Sequence, residues 1–203
     1  AISFHEFAHA FAADRLGDDT PRNEGRWNLS PLSHLDPIGF TLLLFAGFGW
    51  GRPVNINPAR FTRKHSMETG EAIVAFAGPL MNFILAILST AIYFVLYRFA
   101  ASFMLSQTGG MIALMLQGII ITNIGLGVFN LIPLPPLDGS KVLLCFLPQK
   151  AKSWFIQNEQ IFYIVFIVIW ISGIASQVVA PAITAMYQGL VGIFARIFGF
   201  TIL

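Results

Sequence analysis

The sequence predicts an all-α polytopic membrane protein with about four transmembrane helices and a small β-hairpin or re-entrant region after the first helix. Three observations carry this. Of 203 residues, 56% are hydrophobic and 11% charged, whereas a soluble domain carries about 25% charged residues. Three apolar runs, 71–99, 110–132 and 159–184, reach the roughly 20 residues that a helix needs to cross a hydrocarbon core. Polar, Pro-containing stretches carrying most of the basic residues flank the first two runs on either side. The length suits one membrane-embedded domain over 1–203, with a core at 1–140 and a last span plus apolar tail at 141–203. No room remains for a large appended soluble domain.

Residues 1–16, AISFHEFAHAFAADRL, read as a helix that Gly17 stops. The helix is already under way at Ala1, so it is read as a first span lacking its leading half. Residues 17–37 are polar. The stretch IGFTLLLFAGFGW, 38–50, is apolar but only 13 residues long. Such a length points to a re-entrant or interfacial segment. Short extended pieces near 26–30 and 52–57 suit a small hairpin at the membrane edge. Residues 71–99 and 110–132 are the two full spans. PLPPLDG, 133–139, cannot be regular helix, because prolines lack N–H donors. Residues 141–158 are amphipathic, 159–184 form the last clear span, and 185–203 lie in the interface or pack on the bundle.

Basic residues set the orientation, since cytoplasmic loops carry the excess of Lys and Arg. Arg15, Arg22, Arg26, Arg52, Arg60, Arg63, Lys64, Lys141, Lys150 and Lys152 all fall on one side of the predicted spans, which is ten of the twelve basic residues. That side is expected to be cytoplasmic.

His5-Glu6-Phe7-Ala8-His9 is an H-E-x-x-H motif on a helix. The spacing puts both imidazoles on one face, one turn apart, where they can bind a single zinc ion with Glu6 beside them as general base. Ionisable groups in an apolar segment are costly and are functional by default; the alternative is a polar cluster facing a water-filled cavity. The single cysteine, Cys145, excludes an internal disulfide and a Cys-rich metal site. A catalytic zinc takes three protein ligands and keeps one open position. Asp138 is the best candidate for the third. It follows a proline-rich turn that ends a span, and Gly139 permits close approach of the backbone. Its competing role is the N-cap of a helix starting near Ser140.

HEFAH and the distant NLIPLPPLDG together resemble the site-2 protease family of intramembrane zinc metalloproteases. A third family feature, G-P-x-x-N, is matched by Gly78-Pro79-Leu80-Met81-Asn82. Residues 24–57 are similar to the small bacterial and archaeal branch without an appended regulatory domain. The resemblance covers residues 1–140. It implies a zinc-dependent endopeptidase that cuts within or near transmembrane segments, with one Zn2+ per chain held by His5, His9 and Asp138. It implies Glu6 as catalytic acid and base. The implied partners are a membrane-protein substrate with a transmembrane helix and the lipid bilayer of a bacterial or archaeal cell, with no nucleic acid. The chain departs from the pattern at its start, where the leading part of helix one is absent.

Asn82 and Asn130 are further catalytic candidates. Asn82 either donates its amide to the substrate carbonyl or satisfies the carbonyl that Pro79 frees. Asn130 either contacts the substrate or holds the turn that carries Asp138. His34 and Asp36 are read as loop-fixing residues rather than ligands, and His65 as a solvated loop residue. Trp50, Trp154, Tyr93 and Tyr97 suit interfacial anchoring. A metal-ion transporter is the main alternative, but it needs more ligands along a path across the membrane. The spans at 110–132 and 159–184 offer only Glu159, at one end. An inactive scaffold of the same fold is a third reading.

Overall fold

The computed structural model describes residues 1–46, 49–62 and 66–200. His65, Arg63 and Lys64 lie outside the described residues. The chain divides into two compact units. One comprises residues 2–81 and 130–168; the other comprises Ala1, 82–129 and 169–203.

The first unit opens with α1 (Ile2–Arg15). Its buried face is His5, Ala8, His9, Ala10 and Ala13. The alanines let neighbouring backbone come close, and Ala13 packs with Phe61 and Val74. Gly17 ends the helix with φ +103°, a left-handed conformation that glycine adopts without a Cβ penalty. Asp18 is fully buried next to it. It accepts N–H bonds from Thr20 at 3.0 Å and from Asn57 at 2.6 Å, tying the end of α1 to a distant loop. Two short helical turns follow, α2 (Thr20–Asn23) and α3 (Pro31–His34), and then α4 (Pro37–Ala46). At about 1.5 Å per residue α4 is about half as long as a hydrocarbon core is thick. It matches the short apolar segment read from 38–50, of which residues 47–48 lie outside the described residues.

The expected hairpin is reduced to one antiparallel bridge, Leu35 with Gly51, and no sheet occurs among the described residues. The pieces are held by other means. Arg52 N–H donates to His34 O at 2.8 Å, His34 is hydrogen-bonded to Asn28 O at 2.7 Å, and Asp36 accepts from Gly39 N–H at 2.8 Å. His34 and Asp36 thus fix the loop, as expected.

α5 (Met67–Phe99) and α7 (Gln107–Asn130), joined by the short α6 (Ala101–Met104), realise the two full spans. The non-helical turn ends at Leu137, so Asp138 and Gly139, read as part of it, instead open α8 (Asp138–Phe146); α9 (Gln149–Gln157) follows after a break at Leu147-Pro148 where one amphipathic stretch was expected. Lys152, buried on α9, pairs with Glu68 at the start of α5.

The expected span at 159–184 is corrected. Its residues divide between α10 (Glu159–Ile171) and α11 (Ile174–Phe198), with Gly173 between them at φ +75°. The break falls at Ser172-Gly173, a turn-prone pair followed closely by Ser176 and Gln177, so the sequence carries a sign of it. α11 takes in most of the segment read as a tail. Among the described residues three helices, α5, α7 and α11, are long and apolar enough to cross a membrane, and α9 with α10, bent by 67°, is a fourth if taken as one broken span.

In the second unit Ala86, Ile120 and Ile124 form the core, with Ile183, Tyr187 and Leu190 of α11 packed on it. Gly127 leaves room for the Phe83 ring, and Phe94 stacks with Phe194 and Phe198.

Candidate metal centre

α1 presents His5 and His9 one turn apart, and the turn after α7 brings Asp138 to meet them. Both imidazoles are buried. Their Nε2 atoms are 3.0 Å apart, and they lie 3.1 Å (His5) and 3.3 Å (His9) from Asp138 Oδ2. Among the described residues these three form the one group able to hold a metal ion.

The donor chemistry calls for a cation. His9 Nδ1 is 2.7 Å from Val74 O, so the ring donates there and turns the lone pair of Nε2 toward Asp138. A backbone carbonyl that fixes the tautomer of a ligating histidine is the usual outer support of a metal site. Asp138 Oδ2 is buried and makes no hydrogen bond among the described residues. Two acceptor atoms therefore face each other at 3.3 Å, which repels unless positive charge lies between them. Ligands about 2.0 Å from a tetrahedral zinc are separated by roughly 3.3 Å, so the three spacings fit that ion. Burial alone would raise the Asp138 carboxyl, but the two imidazoles outweigh it and hold the group below the usual carboxylate range.

The local backbone explains how Asp138 reaches the histidines. Pro133, Pro135 and Pro136 withhold N–H donors and end the helical path, with Pro135-Pro136 cis. Leu137, not Asp138, occupies the cap position of α8, and the Ser140 hydroxyl donates to Leu137 O at 2.7 Å. The N-cap role is thereby assigned elsewhere and the Asp138 side chain is left to the histidines. A Cβ at Gly139 would collide with the carbonyl oxygens of Leu131 and Ile132, so only glycine permits this closure.

Glu6 and Asn130 line the same cavity, of about 170 Å³, as the three candidate ligands. Glu6 Oε2 accepts the Val54 N–H at 3.0 Å. Asn82 is fully buried, and its amide donates to Asn123 Oδ1 at 2.9 Å. Asn123 in turn donates to Ile119 O at 2.9 Å. The pairing gives Asn82 an interhelical partner that sequence reasoning did not name.

Other contributors were also missed. Val74 acts through its backbone carbonyl, which leaves no trace in residue type. Gly78 sits against both imidazoles: a Cβ there would be 2.5 Å from His9 Nε2 and 2.7 Å from His5 Cε1. Its signal was available in the G-P-x-x-N motif, but its role as clearance for the histidines needed coordinates.

Comparison with known proteins identifies the family. The family model described as Peptidase family M50 matches residues 1–173. The Bacillus subtilis (strain 168) protein named "Putative zinc metalloprotease YwhC" is 34% identical over 201 residues, 98% of this chain and 89% of that protein. Two proteins named "Putative zinc metalloprotease Rip2" are also similar. The one from Mycolicibacterium smegmatis (strain ATCC 700084 / mc(2)155) is 27% identical, over 85% of this chain and 64% of its own length. The one from Mycobacterium tuberculosis (strain ATCC 25618 / H37Rv) is 26% identical, over 94% of this chain and 68% of its own length. No solved structure matched. With the family model matched over most of its length, the chain belongs to peptidase family M50, the site-2 protease family that its motifs resemble.

Proposed function

We propose that this protein is a zinc-dependent endopeptidase that hydrolyses a peptide bond within or near a transmembrane segment of a membrane-protein substrate. The observation that carries the reading is the convergence of His5, His9 and Asp138 in one cavity with Glu6. Family membership and the zinc metalloprotease names of its relatives support it. The long apolar helices support a place in the membrane.

His5, His9 and Asp138 would hold one zinc ion per chain. When bound, zinc supplies Lewis acidity, polarising the scissile carbonyl and acidifying a water. Glu6 accepts the water proton and passes it to the leaving amine. Asn130, on the wall of the same cavity, is placed to contact the substrate main chain or to steady the turn that carries Asp138. Asn82 is read here as an interhelical tie through the N–H it gives to Asn123. A helical substrate hides its carbonyls in i to i−4 bonds and must unwind before attack. Pro53, Val54 and Ile56 line the cavity, which suits the stretch 52–57 as the edge that holds an unwound substrate extended. The clustering of basic residues supports a site toward the cytoplasmic side of the membrane, read here as that of a bacterial or archaeal cell.

The test is a comparison of the purified parent with Glu6→Gln, using a synthetic Leu-rich membrane-segment peptide interrupted by Asn-Gly in detergent micelles. The expected result is one zinc per chain in both proteins and cleavage by the parent alone. Equal cleavage by both removes Glu6 from its assigned role. Zinc binding without cleavage by either favours the metal-transport or scaffold reading.

A further inference from the structure

Arg26 is buried, with 4% of its surface exposed, yet among the described residues no ion pair involves it. A buried cation without a carboxylate is costly unless other acceptors surround it. Here the acceptors are backbone carbonyls. The guanidinium donates to Ser33 O, Arg52 O and Pro53 O, the last at 3.1 Å. These come from two strands of chain that are otherwise joined by the Leu35–Gly51 bridge and the Arg52 N–H to His34 O bond.

The Pro53 carbonyl belongs to the same peptide group as the Val54 N–H, and that N–H donates to Glu6 Oε2 at 3.0 Å. One planar peptide therefore separates the guanidinium from the carboxylate. Its oxygen faces Arg26 and its N–H faces Glu6. Both bonds are charge-assisted, and a peptide polarised at its oxygen is a stronger donor at its nitrogen, by about 10–30% per bond in a chain.

We propose that Arg26 is a positioning residue for Glu6, acting through the Pro53–Val54 peptide. The guanidinium fixes the plane of that peptide, the N–H holds one carboxylate oxygen, and the other oxygen is presented for proton transfer. The inference rests on Glu6 as the general base. It goes beyond the metal ligands, because Arg26 hydrogen-bonds to none of them and meets the cavity only through the Pro53 carbonyl.

The test uses the full chain in detergent micelles with four substitutions: Arg26→Gln, Arg26→Lys, Val54→Pro, which deletes the relaying N–H, and Glu6→Asp, which shortens the carboxylate. Arg26→Gln is expected to lower kcat on the Leu-rich peptide at least about tenfold, with KM within about twofold and zinc content at the parent level. Arg26→Lys is expected to recover part of the loss, since an ammonium can still reach a carbonyl. In the Glu6→Asp background Arg26→Gln is expected to add less than about twofold, because the relay no longer reaches its target. One readout is independent of activity. Hydrogen exchange across residues 50–56 is expected to rise at least about tenfold in Arg26→Gln, with residues 2–13 unchanged.

Equal losses from Arg26→Gln in the parent and Glu6→Asp backgrounds would overturn the proposal. So would a parallel loss of zinc and kcat, or unchanged exchange at 50–56. If Arg26→Gln does not fold, Arg26→Lys and Val54→Pro carry the same comparison, and parent-like kcat in both overturns the inference. If Glu6→Gln cleaves like the parent, the assignment of the base falls instead, and the exchange measurement still decides whether Arg26 fixes the strap.

Discussion

Gly78 on α5 lies against the imidazole of His9, so close that a Cβ at position 78 would stand 2.5 Å from Nε2. Real Cβ atoms do not approach that closely, so any side chain must displace a candidate ligand. We predict that Gly78→Ala weakens zinc binding by about 10–100-fold, the range found when the support of a ligating histidine is removed. Competition with a chromogenic chelator measures this. Parent-like affinity would mean that the histidines can move without cost.

Asp138 is the candidate third donor, half-buried, with one buried oxygen that has no hydrogen bond among the described residues. Asp138→Asn keeps the shape and removes the charge. It is expected to cost more than the roughly 100-fold upper bound for outer-shell substitutions. Zinc per chain after dialysis, read by elemental analysis, should fall well below the parent ratio.

Acidification should release zinc, because ligands must be deprotonated to bind. The two imidazoles beside Asp138 hold its carboxyl low, so it stays ionised well below neutral pH and does not set the transition. Metal affinity should be full at pH 7.5 and decline on acidification as protons compete with the ion for the candidate histidine ligands. A chelator titration between pH 7.5 and 4 tests this, and a transition confined below pH 4.5 would assign it to the carboxylate instead.

Asn82 and Asn123 form one buried amide pair between α5 and α7. Replacing either with Ala leaves the other partner short of a bond. Each substitution should destabilise by about 1 kcal/mol, and the double mutant should cost less than the sum of the two. Thermal unfolding in micelles reads this coupling. A loss of activity in Asn82→Ala that Asn123→Ala does not share would give Asn82 a direct part in the reaction.

Much of the candidate site is legible in the residues alone. The four-residue spacing of His5 and His9 dictates one helical face, and the apolar context makes the intervening Glu6 too costly to be incidental. Asp138 is legible for a different reason: prolines and Gly139 announce an extended turn whose backbone closes tightly. The membrane class follows from composition, and α5 and α7 from apolar runs long enough to span.

Other features became visible only in three dimensions. The α10–α11 break sits at Ser172-Gly173, a short polar dip within a long apolar stretch, and only the coordinates show that the helix axis stops there rather than running on. The hairpin read at 26–30 and 52–57 has no ladder among the described residues; the one bridge, Leu35 with Gly51, lies outside both pieces, and the ties run through Arg26 and His34.

The H-E-x-x-H helix, the ligand-bearing turn and the apolar spans are local properties, decided by periodicity and by the donors each residue carries, and the sequence determined them. Tertiary structure decided what surrounds the histidines and Glu6: the Val74 carbonyl, the missing Cβ of Gly78 and the peptide between Arg26 and Glu6. Backbone atoms and empty space do that work, and neither has a letter in the sequence.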